Sequence, residues 1–493
     1  MASIFTSPYK KFFLASLLIY LVTAYFSEGF HHPDEQFQIL EFCNYKLGNS
    51  PAKDLPWEFD AKIRPALQPA IAYVMVKAFT SVGITSPFVW ALLMRLITAL
   101  LLWYVTCLFC LLLLPQFSTD FGKKIFILLN LFLWFMPYIS VRFSSENYSA
   151  LTFMSAVYLL INVTDGKQTV KFLHVVFAGL LLGFSFYFRF QIAFAILGLG
   201  LWLLFIRKMK FTYWSLLVVS ATCAILACIF LDYWFYGDFQ LTPINYFISN
   251  IIENKAAQWG THGWWYYFLL FFNLAVPPLS IFLLVFFFIG LYKKPTDVFT
   301  WCIIPFLIGH FWVGHKEMRF LFPMALCFMY LTAIGVDHVV NYAKYTKAIR
   351  IIFTFSVIIN LPLLAFRTFM PAREAIGYLN FIDNYSVKNK VDVFCFERDA
   401  YKLGGDHYVN FYRSPIVSCR VVKDNAELTE FLMKEKPSQA LILETMINTG
   451  NTWNDYKAES VYCFYPSWIR HFNIGDWQSR TQMWNIKRIE KIN

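Results

Sequence analysis

Residues 87–114 read PFVWALLMRLITALLLWYVTCLFCLLLL, an apolar run longer than the roughly 20 residues an α-helix needs to cross bilayer hydrocarbon. Similar runs occupy Phe12–Phe26 and residues near 125–140, 149–163, 172–187, 190–206, 213–231, 265–291, 297–312, 319–337 and 351–368. Together they predict an all-α polytopic membrane protein with about eleven transmembrane helices. Composition agrees: the chain is 58% hydrophobic, 20% aromatic and 15% charged, with a mean hydropathy of +0.50, whereas soluble domains are roughly a quarter charged. The 493 residues would fill about three soluble domains, but the spans consume most of them and leave one modest soluble domain.

The net charge of +11 reads as membrane topology, not as a nucleic-acid footprint. Its Lys and Arg residues fall in short clusters between apolar runs: Lys10/Lys11, Lys123/Lys124, Lys167/Lys171, Arg207/Lys208/Lys210, Lys293/Lys294 and Lys344/Lys347/Arg350. Each follows an even number of spans, so all can be cytoplasmic under the positive-inside rule. The alternation closes only if Pro69–Val82, short for a span and carrying Lys77, lies as a helix in the outer interface. The polar segments 28–65, 141–148, 232–264, 313–318 and 370 to the end are then extracytoplasmic. The first run, behind Lys10 and Lys11, lacks a small-residue cleavage site and reads as an uncleaved anchor.

From residue 370 the composition shifts. VDVFCF, HYVNFY and QALILE look like buried strands, and NAELTEFLMKEK looks helical, which predicts a small α/β domain. The expected division is therefore a transmembrane part over 1–369, whose first extracytoplasmic loop (28–86) includes the interfacial helix, and a soluble domain over 370–493. Of the ten cysteines, Cys107, Cys110, Cys223 and Cys228 lie in apolar runs as small hydrophobes. Cys395, Cys419 and Cys463 lie in the polar region, where one disulfide and an odd thiol can form if it is extracytoplasmic.

The unusual polar residues all fall on the same side. In GFHHPDEQFQILEF, from Gly29, Pro33 suits the first turn of a helix, and Asp34 and Glu35 there can simply answer the helix dipole. Beside His31 and His32 at a bilayer surface, the same carboxylates can also accept a proton or orient a polar ligand. The loop continues DLPWEFDAKIRPALQP, where Trp57 and Phe59 suit the interface, Glu58 and Lys62 add charge, and Arg64 suits either phosphate capture or headgroup contact. In GHKEMRFLFP, His315, Lys316, Glu317 and Arg319 crowd a short connection that can attract a phosphate. The stretch YGDFQLTPINYFISNIIENKAAQWGTHGWWYYF offers Asn245, Asn250, Thr261 and His262 for hydroxyls and Trp259, Trp264 and Trp265 for the C–H faces of a sugar, although an aromatic belt explains the tryptophans equally well. Arg142, Glu146, Asn147, Arg189 and Gln191 sit at predicted outer span ends, as functional charges or as snorkelling ones. The sequence contains no P-loop, G-x-S-x-G, H-E-x-x-H or Asp-x-Asp motif, which argues against soluble nucleotide chemistry.

Taken together, HPDEQFQILEF, LPWEF, IRPALQP, TPINYF…WGTHGWWYYF and GHKEMRFLFP resemble the Alg9-like and glycosylphosphatidylinositol (GPI) mannosyltransferases of glycosyltransferase family 22, with late loops similar to the third GPI mannosyltransferase. The resemblance covers roughly residues 10–335. It implies a GT-C fold and inverting transfer of mannose from a dolichyl- or polyprenyl-phosphate carrier to a lipid-linked glycan at the extracytoplasmic face, with no cofactor, nucleotide sugar or metal. Carried over, it makes Asp34 and Glu35 the catalytic pair, with Asp34 as the base for the acceptor hydroxyl. His315, Lys316 and Arg319, with Arg64, are assigned to the donor phosphate; His32, Glu58, Asn245, His262, Trp264 and Glu317 are assigned to substrate. Gly263 stands where the family pattern leads one to expect proline, which bears on the acceptor. The membrane implied is the endoplasmic reticulum for a eukaryotic member and the cytoplasmic membrane for a bacterial relative. Two other classes fit a polytopic chain with clustered charge: a transporter or flippase of a lipid-linked sugar, which should show repeated halves and broken spans near the midplane, and a non-catalytic glycan-binding subunit, which should tolerate loss of Asp34.

Overall fold

The computed structural model describes residues 4–164, 172–341, 346–389, 391–396, 398–403, 407–444, 452–453, 455–463 and 484–492. Lys167, Lys171 and Lys344, which carry part of the parity argument, lie outside them. The chain divides into two compact units, Met1–Ser27 with Trp57–Val82 and Ala91–Met370, and Glu28–Pro56 with Gly83–Trp90 and Pro371–Asn493.

The first unit is helical, and its elements follow the apolar runs. Lys10–Phe26, Ser145–Thr164 and Phe211–Tyr236 are unbroken helices. Elsewhere the backbone interrupts a run that reads as continuous by composition. Residues 125–140 form two helices, Asp120–Phe132 and Met136–Ser140, with Pro137 in the first turn of the second. The run 265–291 splits into Tyr266–Leu274 and Leu279–Lys293, separated by Val276 at φ 62° and the Pro277–Pro278 pair. Pro323, which cannot donate to a regular α-helix, lies in the 3₁₀ stretch Met318–Met324 ahead of the helix Ala325–Val340. Among the described residues, Pro87–Gln116, Phe211–Tyr236, Met318–Val340 and Ile349–Phe369 are long and apolar enough to cross a membrane, and Phe172–Phe188, Phe190–Phe205, Leu279–Lys293 and Val298–Trp312 are shorter apolar helices. Length and composition thus account for fewer spans than the expected number of about eleven. The segment anticipated as interfacial is the helix Leu67–Ser81.

Without water to drive helices together inside a bilayer, close backbone approach supplies the packing. A Cβ on Gly335 would meet the Phe286 carbonyl at 2.0 Å, and one on Gly290 would meet that of Leu331 at 1.9 Å, so Leu279–Lys293 and Ala325–Val340 are in backbone contact. Several polar side chains in this unit are satisfied by backbone carbonyls. The Trp103 indole donates to the Phe13 carbonyl (3.1 Å), Arg95 Nε donates to the Ala24 carbonyl (2.9 Å), and Arg142 Nη1 donates to the Ser27 carbonyl (2.5 Å). The two arginines thereby satisfy carbonyls at the end of the first helix. Asp232, fully buried near the end of its helix, accepts from Tyr187 Oη (2.5 Å), Thr242 Oγ1 (2.7 Å) and the amide of Ala66 (2.8 Å).

The second unit holds the C-terminal sheet region together with residues 28–56 and 83–90, while residues 57–82 of the first loop belong to the first unit. Its strands are β1 (Val393–Phe396), β2 (Lys402–Leu403), β3 (His407–Tyr408), β4 (Cys419–Val422), β5 (Gln439–Glu444), β6 (Thr452–Trp453), β7 (Tyr456–Cys463) and β8 (Asn485–Lys491). Six form one sheet in the order β4-β1-β5-β8-β7-β6, and β2 pairs with β3. Strand β1 is parallel to β4 and β5, while β8 runs antiparallel to β5 and β7. The sheet's core comprises Phe394, Phe396, Val422, Ala440, Ile442 and Ile489 with Leu428 and Leu432 of the helix Asn425–Glu435, whose first amides are capped by Asp424. VDVFCF and QALILE are strands as read. HYVNFY is not one strand: it turns into the 3₁₀ stretch Asn410–Tyr412 after β3, and the Phe411 amide goes to the Glu41 carboxylate instead of a ladder (3.0 Å).

Candidate functional site

Two groups of the singled-out residues are described in turn, one in each unit. In the second unit, His31–Asp34 leads into a π-helical stretch, Glu35–Leu40, followed by the helix Glu41–Lys46. Phe30 exchanges backbone hydrogen bonds with Glu374 (3.1 and 3.0 Å), which fixes the loop at its start. The expected helical start at Pro33 is present, with the Glu35 amide on the His32 carbonyl (3.0 Å). His32 Nδ1 lies 3.3 Å from both the Asp34 amide and Asp34 Oδ1, and the Glu35 carboxylate accepts from the amide of His31 at 3.2 Å. Asp34 is a partly exposed carboxylate with an imidazole beside it, a suitable arrangement for proton acceptance. Glu35 is buried.

One residue here was absent from the sequence reading. Glu41 is almost completely buried and accepts from Gln36 Nε2 (2.8 Å), the Phe411 amide (3.0 Å) and Ser50 Oγ (3.4 Å). Burial pushes its carboxyl up to about 8, against the opposing pull of these donors, so near neutral pH it is largely protonated and structural. Its one sequence signal was a lone acid among apolar residues.

In the first unit, a chain of charges begins at Glu146, in the first turn of Ser145–Thr164. Glu146 Oε1 accepts from Arg189 Nη1 (3.2 Å) and Arg319 Nη1 (3.0 Å), and all three residues are at least nine-tenths buried. Arg319 Nε continues to Glu317 Oε2 (2.5 Å), and Glu317 Oε1 meets His315 Nε2 (2.8 Å). His315 Nδ1 faces the Gly260 carbonyl at 3.0 Å. The hydrogen bond to Glu317 holds His315 above the usual imidazole range, against partial burial and the Arg319 charge. Both guanidiniums also lie 5.0 Å from the Phe320 ring centre, in cation–π range. This arrangement gathers His315, Glu317 and Arg319 as the sequence grouped them, and adds Glu146 and Arg189, which the sequence offered only as charges at span ends.

Lys316 has a different occupation from the expected phosphate contact. Its ammonium donates to the carbonyls of His310 (3.2 Å), Phe311 (3.1 Å) and Val313 (2.5 Å), so its three protons close the end of the helix Val298–Trp312. Arg64 pairs with Glu58 at 3.5 Å and lies over the Tyr246 ring, while Tyr246 Oη accepts from Gln191 (2.5 Å). Asn245, expected on substrate, donates to the Lys62 carbonyl (3.2 Å). His262 stacks on Tyr266 at 3.7 Å, and Trp259, Trp264 and Trp265 are exposed. Among the described residues no three His, Cys, Asp or Glu side chains group as metal ligands.

The chain matches the Alg9-like mannosyltransferase family over residues 11–410. It is 27% identical over 217 residues to a probable Dol-P-Man:Man(7)GlcNAc(2)-PP-Dol alpha-1,6-mannosyltransferase of Schizosaccharomyces pombe, covering 42% of this chain and 39% of that one. It is 26% identical over 337 residues to GPI mannosyltransferase 3 of Candida albicans, covering 67% and 64%, and 21% identical over 452 residues to mannosyltransferase APTG1 of Arabidopsis thaliana, covering 85% and 79%. The match thus spans less than two thirds of each of the two fungal relatives. The fold is similar to that of ArnT from Cupriavidus metallidurans bound to undecaprenyl phosphate, with a TM-score of 0.56 at 12% identity over 97% of this chain and 98% of that one. Because the family match runs from the first apolar helix through the acidic loop and the His-Lys-Glu connection into the C-terminal unit, the chain belongs to the Alg9-like mannosyltransferase family.

Proposed function

We propose that the chain transfers mannose from a dolichyl- or polyprenyl-phosphate carrier to a hydroxyl of a lipid-linked glycan, with inversion, at the extracytoplasmic face of a membrane crossed about eleven times. The observation that carries this reading is the pair of buried guanidiniums, Arg189 and Arg319, held on one carboxylate oxygen of Glu146 within a family of mannosyltransferases. A polyprenyl tail stays in hydrocarbon while its sugar phosphate reaches the interface, so phosphate-binding groups belong at the ends of apolar helices. The ArnT neighbour holds a lipid phosphate of this chemical class.

In the proposed step the acceptor oxygen attacks C1 of mannose from the face opposite the phosphate. The C1–O bond to phosphate breaks, its electron pair leaves with the polyprenyl phosphate, and the acceptor proton passes to Asp34. Arg319 and Arg189, with Arg64, offset the charge on the departing phosphate. Glu35 shapes the loop around the base, and Glu58, His32, His262, Trp264 and Glu317 serve substrate or its binding groups. The membrane is that of the endoplasmic reticulum, as the names and sources of the relatives suggest.

The test is transfer from polyprenyl-phosphate mannose to a panel of lipid-linked glycans by the purified full-length protein and a folded Asp34→Asn variant. Wild-type transfer to one acceptor class, and a loss of about a hundredfold or more in the variant with donor binding retained, is expected for a general base. Equal rates would remove Asp34 from that role, and no wild-type transfer to any acceptor would favour the transport or binding readings.

A further inference from the structure

We infer that His315 is a positioning residue and not a phosphate ligand: it ties the tryptophan-bearing segment around Gly260 to the carboxylate that orients Arg319. The inference rests on the reading of Arg319 as a donor-phosphate contact. Both ring nitrogens are already engaged, Nδ1 with the Gly260 carbonyl at 3.0 Å and Nε2 with Glu317 Oε1 at 2.8 Å. Both partners are acceptors, so only the imidazolium, a donor at each nitrogen, satisfies the two at once. A ring held at both ends has no further N–H for a phosphate.

The groups around it divide the roles. On one side Glu317 uses Oε1 for His315 and Oε2 for Arg319 Nε, so the imidazolium and the guanidinium fix that carboxylate between them. On the other side, Gly260 takes φ 98°, a conformation reserved for glycine, in the stretch that presents its carbonyl to the ring. A second tie lies alongside: the His262 amide donates to the Gly314 carbonyl at 2.9 Å. Flanking these ties on either side are exposed Trp259, Trp264 and Trp265, flat apolar faces suited to sugar C–H groups. One protonated ring therefore sets both the lie of an exposed aromatic segment and, through Glu317, that of a buried guanidinium. Among the described residues the charged groups acting on the ring are Glu317 and, beyond it, Arg319, with the Phe320 ring centre 5.9 Å away. Glu317 raises the imidazole's pKa, so the tie holds below that raised value and loosens as pH climbs through it.

The structure also offers a replacement for the tie. A Cβ at Gly314 would lie 3.8 Å from Thr261 Cβ, with no described residue other than Thr261 and the chain neighbours within 4 Å, and this is the usual Cβ–Cβ separation of a disulfide. The experiment uses the full-length protein in nanodiscs: wild type, His315→Ala, and His315→Ala carrying Thr261→Cys and Gly314→Cys. The bond is formed by a disulfide oxidant that accepts the two thiol hydrogens, verified by peptide mass spectrometry, and reversed by dithiothreitol. Two readouts are taken, hydrogen exchange of the amides of 253–266 and mannose transfer from polyprenyl-phosphate mannose across pH. His315→Ala should speed exchange and cut transfer at least about tenfold, and oxidation should restore transfer to within about threefold of wild type and remove its alkaline decline. Re-protected amides with transfer still at the His315→Ala level would show that the ring itself meets substrate and would overturn the inference, as would His315→Ala exchange equal to wild type. Absence of transfer by wild type would instead defeat the mannosyltransferase reading, and exchange alone would then decide the tie.

Discussion

Replacing Glu146 with Gln isolates what the buried carboxylate does, because it keeps the shape and removes the charge. The two guanidinium nitrogens lie 3.2 and 3.0 Å from the same oxygen. They are therefore no more than about 6 Å apart, where two unit charges at an effective dielectric near 20 repel by about 3 kcal/mol. In the native protein the carboxylate outweighs that repulsion; in Glu146→Gln only Glu317, paired with Arg319, still answers it, while Arg189, Arg319 and the replaced side chain remain in a site where all three residues are at least nine-tenths buried. Losing one member of a buried charge group typically costs about 3–5 kcal/mol, against about 5–15 kcal/mol for a whole fold. The assay is thermal unfolding of the purified protein at fixed lipid and detergent, run as a cycle with Arg189→Met and the double variant. Glu146→Gln should unfold several degrees below wild type, and adding Arg189→Met should recover part of the loss, because removing one guanidinium removes the repulsion. An unchanged melting temperature for Glu146→Gln, or a double variant no better than additive, would refute the claim that this carboxylate holds two mutually repelling cations.

Two further outcomes follow from the polar groups flanking these clusters. Glu41 titrates near 4.5 when unfolded and at about 8 when folded, so the stability it contributes as a neutral carboxyl is complete below about 4.5 and is lost as pH rises through about 8, by at most about 1.4 kcal/mol per pH unit. Glu41→Gln, which reproduces the protonated carboxyl, should flatten the melting temperature across that window relative to wild type, and parallel pH curves would contradict a buried neutral acid. Lys316→Met should cost roughly 1–3 kcal/mol by leaving the carbonyls of His310, Phe311 and Val313 without their donor, while donor affinity per folded molecule changes by less than about twofold. A large loss of donor affinity at unchanged stability would return Lys316 to the phosphate.

Much of the helical unit was legible because a span is a local property: enough apolar residues in a row make a helix in any context that lacks water. The breaks were less so. Val276 takes a positive φ directly ahead of Pro277 and Pro278, a corner inside a run that composition averages as apolar. Pro137 and Pro323 were readable signals of the same kind. Asp232 stood one residue past the end of a run scored for hydrophobicity, yet it fastens Tyr187, Thr242 and the backbone ahead of the helix Leu67–Ser81. The grouping of residues 28–56 and 83–90 with those beyond 370 was not legible, since it is made by contacts such as Phe30 with Glu374 and the Phe411 amide with Glu41, and no local pattern encodes which distant segment a loop residue joins.

The same distinction governs the candidate site. Residue types at span ends were visible, and His315, Glu317 and Arg319 were correctly placed together because they are neighbours in sequence. Their hydrogen-bond partners were not, because which acceptor a cation meets depends on the fold. Lys316 reaches three carbonyls of the helix that precedes it, whereas Arg319 reaches a carboxylate 173 positions away. An ammonium is a compact charge that three carbonyls can surround, while a planar guanidinium carries five donors and can serve several acceptors at once. Two basic residues three positions apart in one short motif can thus diverge, one closing a helix and the other joining Glu317 to Glu146. Arg319→Lys is for that reason not conservative here: an ammonium at that position could not hold both carboxylates in the same geometry, whereas Lys316→Arg would have to fit a planar group where three carbonyls converge on a point.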